Sequence, residues 1–457
     1  MGDFNDRGPR RPVGWWVAPV AALCFAWGVA QPLAASATPA VAQAALIATL
    51  QGDPAFPPEL NQLLQAGQYP EALAFVTAHP ELMGDEKGFL LDIHLLRITH
   101  QDDQALTLLE HRLSSDPEDG LARFEVAEIH FSHHRERPAI LNYRLALAGT
   151  LDEGRTAAAR ARMEGIVQRK AWHSWMGASL SPNNSINDTT DITRMALFGL
   201  PFSEQAPGVD KKGLSFSGYI GAGKLVALSP GLGIRTNILA AASHEPGRLF
   251  DSRSLSIQSG PEWTFGHITH VSVSGRAIVQ WLGKDLAMSG GGLSVHGDTY
   301  GDDQLWSGDV SADRLDIRYN NIGQAWNYRG EVKRVRYLDS SSLWIMDVVA
   351  ARRGASFDTE SYSEEMVKVG RLLQAPLSTF VYLEATGRVR RYDRNAAFSG
   401  MGRDDDYGQL TARFSKRDVV IYGAMPFVSV SASQNASSIN TYDSSHVRVD
   451  FGFTRDF

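Results

Sequence analysis

Cysteine is almost absent: Cys24 is the single one in 457 residues. It lies inside an apolar N-terminal stretch, and Leu23 stands where a lipoprotein acylation site needs a small residue. Once that stretch is cleaved off, structural disulfides, thiolate zinc sites and a cysteine nucleophile are excluded together. Long hydrophobic runs are missing too. After the first fifty residues none reaches the ~20 apolar residues of a spanning helix, which excludes a polytopic helical membrane protein. A barrel survives this test, because its strands need an apolar residue only at alternate positions. Excess basic charge is also lacking. The net charge is −7, with no sign of a nucleic-acid partner.

What is present begins with a leader. Arg7, Arg10 and Arg11 precede an apolar stretch over 13–30, and Ala35-Ser36-Ala37 follows as a small-residue cleavage site. The expectation is a signal peptide over 1–37, with a second cleavage site placing the cut as late as 42, and a linker over 38–56. The general secretory route then carries the chain out of the cytoplasm.

The remainder divides near residue 170. No tryptophan occurs between Gln43 and Ala171, whereas Trp172 and six further tryptophans follow, with eleven of the thirteen tyrosines. Before the divide, apolar residues recur at helical spacing. Leu60, Leu63 and Leu64 form one set, Leu90, Leu91, Ile93 and Leu95 another, then Ala105, Leu108 and Leu109, and later Ile140, Leu141, Leu145 and Leu147. Pro80, Pro117 and Gly149 punctuate these segments at intervals near the ~34-residue period of tetratricopeptide repeats. A helical tetratricopeptide-like domain of two to three hairpins is expected over 57–170.

After the divide the period becomes two. Leu255 and Ile257 alternate with serines, as do Val271 and Val273, and Val428 and Val430. Leu315 and Ile317 alternate with Asp316 and Arg318, and Val447, Val449, Phe451, Phe453, Arg455 and Phe457 run to the last residue. Turn chemistry is read at Gly283-Lys284-Asp285, at Gly301-Asp302-Asp303 and across 402–406. This is the pattern of a transmembrane antiparallel β-barrel over 171–457, with the tryptophans as interfacial girdles. A soluble sandwich of about 285 residues would be large for one domain.

Chemistry-bearing motifs are weak. His130, His133 and His134 lack an H-E-x-x-H frame. His267 and His270 have the odd spacing that puts strand residues on opposite faces. Gly221-Ala222-Gly223-Lys224 lacks the phosphate-loop frame, and Ser215 and Ser217 miss the nucleophile elbow by one residue. Asp302, Asp303 and Asp404 to Asp406 read as loop carboxylates rather than a cation site. No catalytic, cofactor-binding or metal-binding residue is assigned, no cofactor is expected, and the chain is not expected to be an enzyme.

Two segments carry a resemblance. One runs from Arg160, Arg162, Arg169 and Lys170 through Trp172 and Trp175 to Asn183, Asn184, Ser185, Ile186 and Asn187. The other is Ser437-Ser438-Ile439-Asn440-Thr441-Tyr442-Asp443, followed by a closing strand with Gly452, Phe453, Arg455 and Phe457. Both resemble the surface lipoprotein assembly modifiers, the Slam family. Two positions depart: the acidic residue of a D-x-N-I-N turn is unmatched, and Ser438 replaces an asparagine. The resemblance implies a barrel of about fourteen strands behind a periplasmic tetratricopeptide-like domain. It implies an outer-membrane translocon that delivers surface lipoproteins or secreted haem- or metal-capturing proteins. Its partners would be a secreted or lipidated client and the outer-membrane assembly machinery. A passive porin or uptake channel is the alternative.

Overall fold

A computed structural model describes residues 56–169 except 134, and residues 172–456 except 184–193, 198–199, 204–212, 245–250, 267–268, 302, 319–321, 376–378, 396–401, 417–423 and 440–441. The leader, its cleavage sites and Phe457 lie outside the described residues, as do Asn184, Ile186 and Asn187.

Seven α-helices come first among the described residues: α1 (Pro58–Gln65), α2 (Tyr69–Ala78), α3 (Glu86–Ile98), α4 (Asp102–Ser115), α5 (Gly120–Ser132), α6 (Glu136–Ala148) and α7 (Glu153–Arg169). Their starts are set by local chemistry. Pro58 and Pro70 sit in the first turns of α1 and α2, where a missing N–H costs nothing. The Asp85 and Asp119 carboxylates accept from the amides of Gly88 (2.7 Å) and Ala122 (2.8 Å), capping α3 and α5. Helices α2, α4 and α6 begin at residues 69, 102 and 136, and α3, α5 and α7 at 86, 120 and 153, so each kind of element returns every 33 or 34 residues. Pro80, Pro117 and Gly149 each follow the second helix of a pair.

The helices share one apolar seam. Leu60, Leu64, Val76, Leu91, Ile93, Leu95, Leu109, Leu113 and Ile129 are fully or almost fully buried in one cluster. Phe124, Ala139, Tyr143, Ala146, Ala159 and Ile166 continue it between α5, α6 and α7. Several polar groups in this core are paired. Tyr143 donates to Glu128 at 2.6 Å, and Arg162 reaches the same carboxylate at 3.3 Å. Arg97 donates to the buried Glu125 at 2.9 Å.

From Trp172 onward the chain forms a closed antiparallel barrel of fourteen strands, in the order β1-β16-β15-β14-β13-β12-β11-β10-β9-β8-β7-β6-β5-β4. These are β1 (Trp172–Asn183), β4 (Gly213–Ser229), β5 (Leu232–His244), β6 (Ser252–Phe265), β7 (Thr269–Leu282), β8 (Asp285–Tyr300), β9 (Gln304–Ile317), β10 (Gly323–Tyr337), β11 (Ser342–Ala355), β12 (Tyr362–Ala375), β13 (Thr379–Asn395), β14 (Gly402–Lys416), β15 (Met425–Ser437) and β16 (Ser444–Asp456). A small hairpin, β2 (Arg194–Leu197) with β3 (Leu200–Ser203), lies between β1 and β4 in the chain. Neighbours in the sheet are neighbours in sequence except at the closure of β1 on β16. With an even strand number, β1 starts and β16 ends at the same rim, called here the entry rim. Gly231 and Gly283 adopt positive φ (74° and 60°) in the β4–β5 and β7–β8 turns, a conformation that disfavours side chains with a Cβ.

The registers sort the side chains. Leu255, Ile257, Val271, Val273, Val428, Val430, Val447, Phe451 and Phe453 share the outer face and are exposed or half-exposed, while the alternating serines point inward. Such a continuous apolar exterior on a sheet without edges is what a lipid environment requires. Five tryptophans stand on this outer face at strand ends. Trp263, Trp306 and Trp344 lie toward the entry rim, Trp281 and Trp326 toward the far rim. Along β10, Trp326 is eight residues from Arg334, the register partner of Trp306. Eight residues of strand tilted by ~40° rise about 20 Å, close to the ~25 Å apolar band of an outer-membrane barrel.

One reading of the sequence needs correction, and one alternating set proves to face the interior. Residues 402–406 are not a turn: Gly402 opens β14, with Asp404 and Asp406 outward and Asp405 inward. Their carboxylates meet arginines, Arg391 at 2.9 Å from Asp406 and Arg403 at 2.8 Å from Asp405. Leu315 and Ile317 face inward, packed on Ile322 and Ala325, so on β9 the apolar set lines the inside of the far rim.

Closure is uneven. β1 and β16 align over six residue pairs, from Trp175↔Asp456 to Leu180↔Phe451. Among the described residues every other interface in the barrel aligns eleven or more. Ser181, Pro182 and Asn183 continue to pair with β4 but no longer with β16. Pro182 has no N–H to give to a ladder. A side-chain clasp takes over: Arg448 donates to the Ser181 hydroxyl (2.9 Å), which donates to the Val449 carbonyl (3.2 Å).

Candidate functional site

The inward positions define a polar interior with two kinds of wall. On β4, β6, β7 and β15 it carries small neutral groups: Ser215, Ser217, Ser254, Ser256, Ser272, Ser274, Ser429 and Ser431. Charged groups fill it from β9 round to β14 and on β16, and stand among the serines on β5, β6 and β7 as well. Arg276 meets Asp313 at 2.6 Å, Lys368 approaches Asp347 at 3.6 Å, and Arg329 meets Glu331 at 2.7 Å. Arg448 meets Asp450 at 2.7 Å. Arg235 grips Glu262 with both ends of its fork, one contact at 2.6 Å. Each pair offsets part of the desolvation of its partner.

One helix enters this interior. Leu141, Arg144, Leu145 and Ala148 recur on one face of α6 at spacings of three and four. That face packs on inward residues near the entry rim: Leu305 of β9, Val335 and Tyr337 of β10, Leu343 and Ile345 of β11, and Leu372 of β12. Burying Leu145 alone stabilises the contact by about 2 kcal/mol. Arg144 is buried at the centre. Its guanidinium carbon lies 4.6 Å from the Tyr300 ring centroid and 5.6 Å from that of Tyr337, and it donates to the Tyr337 hydroxyl at 3.2 Å.

The β10–β11 turn completes the seat. Gly149, just after α6, touches Ser340, and a Cβ there would fall 1.9 Å from the Ser340 hydroxyl oxygen. Asp339 orders the turn by accepting from the Ser341 and Ser342 hydroxyls, both at 2.7 Å. Burial pushes the Asp339 carboxyl up, but the hydrogen bonds from Ser342 and Ser341 outweigh it and hold it below the ordinary carboxylate range.

The residues singled out in sequence are scattered over the closure region. Trp175 faces inward across Gly221 and stacks on His173 at 5.1 Å. It is therefore a lining residue, unlike the five girdle tryptophans. Trp172 begins β1 and Asn183 ends it, opposite Lys224 and Gly213. Gly452 faces inward opposite Ser179, where a Cβ would lie 2.4 Å from the Ala178 carbonyl oxygen. Phe453 points outward opposite Ala178, and Arg455 pairs with Met176. Among the described residues no cluster of histidines and carboxylates could hold a metal ion.

Sequence reasoning missed two features. The seat of α6 left no signal beyond an ordinary amphipathic helix. The second is a strip of arginines and tyrosines inside the far rim on β11 to β14. Its signal was the alternation of Arg388, Arg390 and Tyr392, and of Arg403, Asp405 and Tyr407.

No family model and no curated relative matches the chain. Solved structures align with about 63% of the chain. The outer membrane channel DcaP of Acinetobacter baumannii is 10% identical over 63% of this chain and 96% of its own, with a TM-score of 0.40. OmpT of Vibrio cholerae is 9% identical over 63% and 97%, TM-score 0.34. A bacterial polysaccharide outer membrane secretin is 8% identical over 62% and 98%, TM-score 0.33.

Proposed function

We propose that this chain is an outer-membrane translocon of the surface lipoprotein assembly modifier kind. Its helices would face the periplasm as a tetratricopeptide-like stack, and its barrel would pass a secreted or lipidated protein client to the cell surface. The observation that carries this reading is the seat of α6. A helical stack joined to the lumen mouth through Leu145 and Arg144 can hold a client and govern its entry. A passive channel does not require such a helix at its mouth. The 33- to 34-residue recurrence of the helices supports a repeat surface of the sort that binds extended chains. The polar interior suits passage of hydrated polypeptide.

The second reading is a passive porin or uptake channel, favoured by the continuous lining of serines and ion pairs. The two readings separate in one experiment. A lipidated or secreted client is co-expressed with this chain, and intact cells are shaved by protease. Surface exposure that depends on this chain, and that is lost when residues 57–170 are deleted, supports translocation. Exposure indifferent to the chain for each client tried, together with steady ion conductance of the purified barrel, would favour the channel.

A further inference from the structure

The strip inside the far rim has a composition that neither reading above uses. Tyr362 of β12 lies between two guanidiniums, Arg390 of β13 at 4.4 Å and Arg353 of β11 at 5.0 Å from its ring centroid. Arg403 of β14 lies over Tyr392 at 4.6 Å and over Tyr442 at 3.4 Å. Arg388 lies over Tyr407 at 4.6 Å. Apart from Tyr442, which lies between β15 and β16, registers put these residues on four consecutive strands within two or three inward rows. That is a patch about 15 Å wide at the ~4.8 Å spacing of strands.

Stacking occupies the flat faces of the guanidiniums and leaves their N–H edges as the binding surface. Two of the four already show what those edges take. Arg390 donates its Nε to Glu364 at 2.9 Å, and Arg403 forks onto Asp405 at 3.1 and 2.8 Å. The other two have no carboxylate within hydrogen-bond reach. Arg353 gives its Nε to the neutral Asn327 at 3.1 Å. Arg388 comes only to within 3.9 Å of Glu364, and its buried Nε has no hydrogen-bond partner among the described residues. Four guanidiniums thus face two carboxylates, while Asp393, Asp404 and Asp406 on the outer face are engaged by Arg352 and Arg391.

We propose that this strip is a binding site for anions carrying two or more carboxylate or phosphate groups, with Arg353 and Arg388 as the residues that hold them. Such an anion would supply the charge that Glu364 and Asp405 leave unmatched. Spaced anionic groups would let one molecule reach both arginines. The site stands independently of whether proteins or solutes cross the barrel.

The test uses the full chain folded in detergent, titrated calorimetrically with citrate and separately with pyrophosphate. Saturable binding of at least one probe is expected. Arg353→Gln and Arg388→Gln should each weaken it about tenfold or more, the usual effect of losing a charged hydrogen bond. Glu364→Gln should tighten it, because a competing carboxylate is gone; a merely damaged barrel would not gain affinity. Arg352→Gln, on the same strand as Arg353 but facing outward, should leave it unchanged. Citrate binding alone assigns carboxylates, and pyrophosphate binding alone assigns phosphates. Absence of saturable binding of either probe to the parent chain would overturn the proposal. So would affinity that falls equally in Arg352→Gln. Should Arg388→Gln fail to fold by heat-modifiable mobility, Arg353→Lys decides: it keeps the charge, loses the fork, and should bind more weakly than the parent.

Discussion

Arg144 and Tyr300 meet face to face across the boundary between helices and barrel, the guanidinium carbon 4.6 Å from the ring centroid. Arg144 belongs to the sixth helix and Tyr300 to the end of β8, 156 residues later in the chain. The contact combines cation–π attraction with a hydrogen bond to Tyr337 in a buried setting. Together these are worth about 2 kcal/mol. Arg144→Ala should therefore raise hydrogen exchange of the α6 amides by about 30-fold, with the barrel amides unmoved. Exchange that stays slow would show that the leucines alone hold the helix in place.

The short closure between β1 and β16 makes a second expectation. Ala178 and Phe453 are register partners there, both on the outer face. Their Cα atoms fall within the ~4.5–5.5 Å of directly opposed strand residues, a separation a disulfide can bridge. If passage of a client needs the closure to part, Ala178→Cys with Phe453→Cys should stop surface delivery when oxidised and restore it on reduction. The matching pair Ala242→Cys and Arg253→Cys, across β5 and β6, is the control and should have no effect. Delivery that continues through an oxidised closure would place the route wholly within the lumen.

Gly452 offers a test of closure itself. A side chain there would press on the Ala178 carbonyl at 2.4 Å and on the Phe427 ring at 2.7 Å. Backbone cannot yield as a side chain can, so Gly452→Val should prevent or slow closing of the last strand. The readout is loss of the heat-modifiable form on unheated gels. Full folding of the variant would mean that β1 can shift in register to accommodate it.

The helical core should respond to acid. His94 is buried on α3, with Glu125 4.0 Å from its Nε2. Burial lowers its pKa below the ordinary value; Glu125 and Glu128 oppose this, while Arg97 and Arg155 reinforce it. The unfolded chain therefore binds the proton first. Below about pH 6.5 it gains a proton that the native helices do not, and stability falls with pH by at most about 1.4 kcal/mol per unit. Asp92 acts the other way in a more acidic window, since burial raises its pKa above the ordinary aspartate value. Helical melting followed between pH 7 and 5 should show the loss, and His94→Gln should flatten it. A slope unchanged in the variant would assign the effect to another group.

The barrel was legible because its rule is local. Leu255 and Ile257 alternate with serines within five residues, and the interior and exterior follow from that alone. The helices were legible for the same reason, through leucines at spacings of three and four. Residues 402–406 misled because three aspartates beside a glycine suit a turn, whereas their pairing with Arg391 and Arg403 is settled by a register the sequence does not display. Leu141, Arg144 and Leu145 were equally opaque. Their spacing is that of any amphipathic helix, and their partners stand about 150 to 230 residues away on five different strands. The arginine–tyrosine strip is spread over β11 to β14 and becomes a patch only when those strands lie side by side.

Helix α7 ends at Arg169 and β1 begins at Trp172, so two residues join the helical stack to the strand whose seam with β16 has the fewest aligned pairs among the described residues. That strand meets β16 over six residue pairs among the described residues and a serine clasp. Three Cα steps, about 11 Å at full stretch, are all that separate the last residue of the stack from the first residue of that strand.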